Sequence, residues 1–451
     1  MKSIFVTPGG LLAGDLRIPG DKSITHRALL FAGLGQGESE IVGGLASEDT
    51  MATAGILRAL GVECNCAGQR WSVRSKGLHA FRAPAVDLDC GNSGTTARLM
   101  MGLLCAQPFS SRLIGDASLS RRPMERVMKP LEQMGARFES TGGTLPLRIL
   151  AAPQAGLRAI AYESPVASAQ VKSAIVLAGL YAQGKTSVRE PSLSRDHTER
   201  LLGAQVNLQR HQNEISFDGP VKALSAGHFV VPGDFSTAAF FLVAGALYAK
   251  GNLRLENVGV NPTRLGLWDA LERMGVKMKR TSERTEHGEA MADLIVERSK
   301  ELQAIEVSGE LTLRAIDEIP IWAVAAARAK GRSVLRDAQE LRVKESDRLA
   351  AIAENLKRMG VAISLAPDGF SIEGRPEGLL HPQRSGYGPG HLESYGDHRI
   401  AMAMAIAALG VAGHAEAIEM RDTACIATSF PTFTAQLRAL LGGGGVEERA
   451  L

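Results

Sequence analysis

Apolar residues in this chain come in short runs of small side chains. Each run is opened by a polar turn, and a glycine turn follows it. Ser173-Ala-Ile-Val-Leu-Ala-Gly-Leu180, Phe240-Phe-Leu-Val-Ala-Gly-Ala246 and Ala401-Met-Ala-Met-Ala-Ile-Ala-Ala408 show the pattern most clearly. Segments that are apolar nearly all round and rich in Ala and Gly predict buried, closely packed helices. Six are predicted, starting near Ser23, Gly94, Ser168, Asp234, Asp317 and Asp397. A second signal recurs between them: a helix ending Leu-x-x-x-Gly before a small or β-branched residue. It occurs at Leu57–Gly61, Leu131–Gly135, Leu271–Gly275 and Leu356–Gly360, with weaker copies ending at Gly203 and Gly442. The six glycines are spaced by 74, 68, 72, 85 and 82 residues, and each predicts a helix C-cap with φ > 0. After the first five, alternating segments such as Val361-Ala-Ile-Ser-Leu and Phe370-Ser-Ile-Glu predict hairpins.

The chain therefore reads as six copies of a helix–strand–helix–hairpin unit. Six units divide most simply into two α/β domains of three, with buried helices under outer sheets and helices. Gly227 to Gly233 is one crossover and Gly14 to Gly20 the other. The expected boundaries are residues 1–19 with 232–445 for one domain and 20–231 for the other. Residues 446–451, after the glycine run 442–445, are expected to be a frayed tail. A length of 451 residues fits two or three domains. The net charge of +3, with no acidic or basic block, argues against nucleic acid or a membrane surface as the main partner. No apolar run reaches the length of a membrane span. Five scattered cysteines, with Cys64-Asn65-Cys66 too tight for the usual zinc spacing, read as reduced thiols and no metal site. The opening Met1–Val6 shows no leader pattern, so a cytosolic protein is expected.

The candidate chemistry sits at the helix starts. In Pro19-Gly20-Asp21-Lys22-Ser23-Ile24-Thr25-His26-Arg27, a turn and a capping residue set Lys22 and Arg27 at or just inside a helix N-terminus. Free N–H groups and the helix dipole already favour an anion there, and cations are normally disfavoured. One such stretch alone would read as a capped surface helix with two solvated charges. The arrangement recurs, however. Corresponding points carry Asn92 to Arg98 and Arg121-Arg122; Ser168-Ala169-Gln170 and Ser194-Arg195; Asp317-Glu318 and Lys344 to Arg348; and Asp397-His398-Arg399. Only the fourth start, Pro232 to Ser236, has no cation nearby. Such a set predicts one cleft holding several phosphate and carboxylate groups. His26, His197 and His398 read as orienting neighbours rather than metal ligands, and Asp347 as the partner of an Arg. Arg98 is either a pocket wall or a structural ion pair. Gly33 to Gly37 follows a helix, so it reads as a turn and not a dinucleotide-binding loop.

Gly20 to Arg27, Gly91 to Arg98, Gly115 to Pro123, Leu341 to Arg348 and Asp397 to Arg399 together carry a resemblance. From about residue 6 to 440 the chain resembles the 5-enolpyruvylshikimate-3-phosphate synthase (3-phosphoshikimate 1-carboxyvinyltransferase) family. Ala167 to Lys172 and Ser194 to Glu199 are similar to its class II bacterial branch. The resemblance implies a two-domain enolpyruvyl transferase fold closing on substrate. Each domain would hold three βαβαββ units with buried helices, an inside-out α/β barrel. The implied reaction moves the enolpyruvyl group of phosphoenolpyruvate to the 5-hydroxyl of shikimate 3-phosphate and releases phosphate. It proceeds by addition and elimination through a tetrahedral intermediate, on the shikimate pathway toward chorismate and aromatic amino acids. No cofactor and no metal is implied, so the roughly five to six negative charges of the substrates fall to Lys and Arg. A cytoplasmic monomer is implied.

Residue roles follow from the same resemblance. Lys22 is expected to bridge both substrates. Ser23, Arg27, Ser168, Ala169, Gln170, Arg195, Asp317 and Lys344 are expected around shikimate 3-phosphate. Gly94, Arg122, Gln170, Arg348 and Arg399 are expected around phosphoenolpyruvate. Asp317 is the expected base toward the 5-hydroxyl. Glu345, with Lys22 as rival, is expected to exchange the methylene proton. Gly94 leaves open the space that implies glyphosate as an inhibitor. Thr428 stands where some relatives carry a Lys. The sister enzyme acting on UDP-N-acetylglucosamine usually has a Lys-Asn pair and a loop Cys. Here Lys22-Ser23 and a Cys-free stretch from Ser111 to Arg122 stand instead. A non-catalytic polyanion binder on the same fold is the other alternative, and the presence of Asp317 and Glu345 speaks against it.

Overall fold

The computed structural model describes residues 2–450 apart from 204, 389 and 414. The chain forms two compact units. A terminal unit comprises Met1–Pro19, Pro232–Thr285 and Ala290–Leu451, and a central unit comprises Gly20–Val231 with Glu286–Glu289. Each has its own apolar core.

In the central unit the helices are α1 (Lys22–Leu34), α2 (Glu48–Ala59), α3 (Gly94–Leu104), α4 (Glu125–Gln133), α5 (Ala169–Gly179) and α6 (His197–Leu202). The small-residue helices α1, α3 and α5 are buried along nearly their whole length. Close packing requires the small residues. A Cβ at Gly102 of α3 would stand 2.2 Å from the carbonyl oxygen of Ala174 in α5. Three sheets surround these helices with one repeated pattern. A short strand lies parallel to a longer one, which pairs antiparallel with the second arm of a hairpin. Strands 88–89, 111–114, 147–149 and 138–140 follow it, as do 161–163, 184–189, 214–219 and 209–211. In the first sheet, strands 224–225 and 228–230 supply the parallel partner of 35–42, so the chain returns to where this unit began.

The terminal unit holds α7 (Phe235–Tyr248), α8 (Gly266–Arg273), α9 (Gly309–Ala315), α10 (Ile319–Ala327), α11 (Arg348–Arg358), α12 (His398–Ala408) and α13 (Phe433–Leu440). Here α7, α10 and α12 are the buried helices. Its sheets repeat the pattern, with strand 12–17 lying parallel to 249–259. In the last sheet the order is 392–393, 418–421, 2–6, 446–450. The tail expected to fray is therefore a strand: Val446–Ala450 pairs antiparallel with Lys2–Val6 in a five-residue register, and Val446 is buried. The chain's first and last strands stand in for the hairpin that the sixth unit lacks.

Two local expectations are corrected. Gly61, Gly135, Gly275, Gly360 and Gly442 have positive φ, but Gly203 is right-handed at φ −61. Its N–H bonds the Glu199 carbonyl, so it closes the six-residue helix α6 as a right-handed C-cap. At Gly33 to Gly37 there is no separate turn, because α1 passes at Gly35 directly into strand Gly35–Val42. No helix among the described residues is long and apolar enough to cross a membrane. The five cysteines are free thiols.

Candidate active-site residues in the two units

In the central unit the first motif is built as a tight turn. A Cβ at Gly20 would lie 1.9 Å from the Gly43 carbonyl oxygen, so only glycine fits. Asp21, not Ser23, caps α1, accepting from the Ile24 N–H at 2.8 Å. Lys22 then stands in the first turn, with its Nζ 2.8 Å from Asp49 Oδ2. Arg27 is buried. Its Nε donates to Thr198 Oγ1 at 2.7 Å, one Nη to the Ser23 carbonyl at 3.0 Å, and the other to Ser173 Oγ at 3.0 Å. Burial pulls this guanidinium down to about 10, against the raising influence of Glu199 and Asp21. His26 is also buried, its Nδ1 2.7 Å from Thr53 Oγ1. Burial, then Lys22 and Arg27, hold it well below the ordinary 6.5, so it is neutral.

The second and third motifs interlock within the same unit. Ser93 caps α3 through the Thr96 N–H at 3.1 Å. Arg98 donates to Gln170 Oε1 at 2.9 Å and to the Pro123 carbonyl at 3.2 Å, while Gln170 Nε2 donates to Thr95 Oγ1 at 3.1 Å. Arg98 is thus a link that ties Gln170 to the segment carrying Arg122. Arg122 donates to Asn92 Oδ1 at 2.6 Å and to Ser118 Oγ at 3.2 Å. Gly94 faces both cations: a Cβ there would be 2.7 Å from Arg98 Nη1 and 3.4 Å from Arg122 Nη1. Ser168 caps α5, with Ala169 and Gln170 in its first turn. Arg195 is half-buried ahead of α6, and its neighbour Asp196 pairs with Arg200 at 2.7 Å and Arg210 at 3.3 Å.

In the terminal unit one buried guanidinium gathers three carboxylates. Arg348 Nε is 2.7 Å from Asp397 Oδ2, one Nη is 2.7 Å from Glu345 Oε2, and the other is 3.3 Å from Asp317 Oδ1. Burial alone would lower this Arg. Asp397, then Glu345 and Asp317, outweigh it and push it well above the ordinary range. Lys344 lies 2.9 Å from Glu340 and 4.0 Å from Asp317. Arg399 donates to the Asp317 carbonyl at 3.0 Å, and its other Nη is 3.8 Å from Asp317 Oδ2. Asp397 also caps α12 through the Arg399 N–H at 2.9 Å. Asp347 caps α11 and pairs with Arg342. Thr428 only back-bonds to the Cys425 carbonyl at 2.8 Å.

Two of the buried cations that escaped the sequence reading lie in or beside the helix-start motifs. The fourth helix start does have one: Arg264 donates to Ser236 Oγ at 2.6 Å and lies 3.3 Å from Asp234 and 3.8 Å from Glu318. Ser236 Oγ also donates to Glu318. Repeat register was the missed signal, because Arg264 precedes α8 as Arg122 precedes α4 and Arg195 precedes α6. The other is Lys172, inside α5 and paired with Glu190 and Glu199 at 2.8 Å each. A lone charged residue in a largely apolar helix was its signal. His197 Nδ1 is 2.8 Å from Glu289 Oε1. No group of three or more metal-ligating side chains occurs among the described residues.

Residues 6–437 match the family model for EPSP synthase (3-phosphoshikimate 1-carboxyvinyltransferase). The 3-phosphoshikimate 1-carboxyvinyltransferase of Pelobacter propionicus is 46% identical over 448 residues, 98% of this chain and 100% of that protein. That of Alkalilimnicola ehrlichii is 47% identical over 444 residues, 98% of this chain and 95% of the relative. Among solved structures, EPSP synthase from Acinetobacter baumannii superposes with a TM-score of 0.85 at 40% identity, covering 100% of both chains. The enolpyruvyl transferase NikO from Streptomyces tendae shares the fold, with a TM-score of 0.76 at 17% identity, over 100% of this chain and 99% of that one.

Proposed function

The chain belongs to the EPSP synthase family, the 3-phosphoshikimate 1-carboxyvinyltransferases, and from that premise we propose how its residues divide the reaction. It is an enzyme that transfers the enolpyruvyl group of phosphoenolpyruvate to the 5-hydroxyl of shikimate 3-phosphate and releases phosphate. In the central unit, Ser168, Ala169, Gln170 and Arg195 hold the 3-phosphate and ring of shikimate 3-phosphate. Ser23 and Arg27 serve its carboxylate. Arg122 and the side-chain-free face of Gly94 take phosphoenolpyruvate, with Gln170 fixed beside them by Arg98. In the terminal unit Arg348 and Arg399 bind phosphoenolpyruvate, and Lys344 neutralises charge near Asp317. Lys22 bridges both substrates.

Asp317 takes the 5-hydroxyl proton as that oxygen attacks C2 of phosphoenolpyruvate. Glu345, which takes up a proton before the addition, gives it to the methylene carbon, forming the tetrahedral ketal phosphate. Phosphate then leaves with the proton that Asp317 holds, as Glu345 takes a methyl proton back, which regenerates the enol ether. The observation that carries this reading is the joint hold of Arg348 on Asp317 and Glu345. Both carboxylates that must move protons are fixed on one cation, with Lys344 and Arg399 beside them. The cations compensate charge that repels between the substrates, and exclusion of water would strengthen each contact. In this reading the enzyme is a cytoplasmic monomer, and glyphosate inhibits it by occupying the space that Gly94 leaves. Phosphate release from phosphoenolpyruvate tests the proposal. Release is expected with shikimate 3-phosphate and absent with UDP-N-acetylglucosamine or with no acceptor. Release with the sugar nucleotide alone would overturn it.

A further inference from the structure

The central unit buries a second set of charges that the reaction does not use. Lys172 sits one helical turn beyond Ser168 on α5, with Nζ 2.8 Å from both Glu190 and Glu199. All three side chains are almost fully buried. Burial would lower the Lys, but Glu199 and Glu190 raise it above its ordinary range, so it stays charged. Glu190 does more than pair. Its Oε1 accepts the Ser168 N–H at 2.7 Å, and its Oε2 accepts Ser194 Oγ at 2.8 Å and the Ser194 N–H at 3.4 Å. One carboxylate thereby joins the two segments that lead to Ser168-Ala169-Gln170 and to Arg195. Next to it, Ser173 and Thr198 bond each other at 2.6 Å and both accept from Arg27. Ser173 follows Lys172, and Thr198 precedes Glu199. Arg27 and Lys172 thus balance Glu190 and Glu199, two charges against two.

We propose that the Lys172–Glu190–Glu199 triad is a positioning device: Glu190 sets the spacing of Ser168 and Arg195 around one phosphate, and Lys172 holds Glu190 in place. The proposal rests on the reading of Ser168 and Arg195 as the 3-phosphate subsite. A buried charge is held in place only if it is paired and its remaining lone pairs are satisfied, and removing one partner strands the other. Replacing a pair by neutral groups of similar volume can restore stability without restoring the original geometry.

The test compares Glu190→Gln with the triple variant Lys172→Met/Glu190→Gln/Glu199→Gln, measuring thermal midpoints and steady-state kinetics for both substrates. Glu190→Gln is expected to raise KM for shikimate 3-phosphate about tenfold, with KM for phosphoenolpyruvate and kcat changed less than about threefold. In the triple variant the midpoint should recover toward wild type while the raised KM persists. A KM that returns with the midpoint, or equal changes for both substrates, would show a purely structural triad and overturn the inference. If Glu190→Gln does not fold, the triple variant decides by itself. Arg195→Ala separates the two readings. If it weakens shikimate 3-phosphate and the triad variants do not, the positioning role alone fails. If it leaves that substrate untouched, the subsite reading fails.

Discussion

Asp317 receives Arg348 on one carboxylate oxygen, and its other oxygen lies 3.8 Å from an Nη of Arg399. An amide of the same shape keeps an acceptor for those cations but cannot take a proton. Asp317→Asn is therefore expected to cut kcat by about 10²–10⁴ with KM values changed little, and full turnover would remove Asp317 from the mechanism. Gly94 is a second single-residue test. The 2.7 Å approach of an added Cβ to Arg98 Nη1 must displace a guanidinium already tied to Gln170 and the Pro123 carbonyl. In Gly94→Ala, KM for phosphoenolpyruvate should rise about tenfold, and the glyphosate inhibition constant should rise by a larger factor. An unchanged pair of constants would sink the pocket assignment. At this scale, the residue types at the helix starts were readable, because a cation at a helix N-terminus runs against the dipole and so stands out. Partners were not. Nothing along the chain joins Lys22 to Asp49, 27 residues away, or Arg348 to Asp397, 49 residues away.

The helices gave themselves away by cap and composition. Asp21, Ser93, Ser168, Asp234, Asp347 and Asp397 each accept a backbone N–H at a helix start, the capping chemistry expected of these residue types. Where an element strays, the reason is local. α6 runs only six residues, and Gly203 closes it as a right-handed C-cap. Helix α1 carries a titratable consequence. His26 is neutral in the folded protein but takes up a proton near pH 6.5 when unfolded. Its folded pKa is depressed, so the unfolded chain binds more protons below that pH. The contribution to stability is present above about pH 6.5 and is lost as pH falls, by up to ~1.4 kcal/mol per pH unit. Urea unfolding from pH 8 to 5 should show wild type losing its advantage over His26→Gln as the solution is acidified. Parallel curves would show that His26 binds its proton equally in the folded and unfolded states.

For the whole molecule, the sixfold repeat places both chain ends in one sheet of the terminal unit. Strand Lys2–Val6 lies between 418–421 and 446–450. Deleting residues 446–451 removes a paired strand and uncovers the core beside buried Val446. It should lower stability by about 1–3 kcal/mol. In a Trp71→Phe background only Trp268 and Trp322 report, and both belong to the terminal unit. Their urea midpoint should fall on deletion, and an unmoved midpoint would mean the strand is dispensable. Each unit has a separate core, so its unfolding is to be followed with its own probe and not as one transition.

Read alone, the 451 residues determined the unit count, the buried small-residue helices, the caps and the kind of ligand, because periodicity, capping chemistry and charge type are local properties. They did not reveal that the tail completes a sheet, that Arg264 supplies the fourth helix start, or that Lys172 is held between Glu190 and Glu199. Those are pairings between distant segments. Burial makes an unpaired strand edge or charge too unfavourable to persist, and only the folded chain decides which partner meets it.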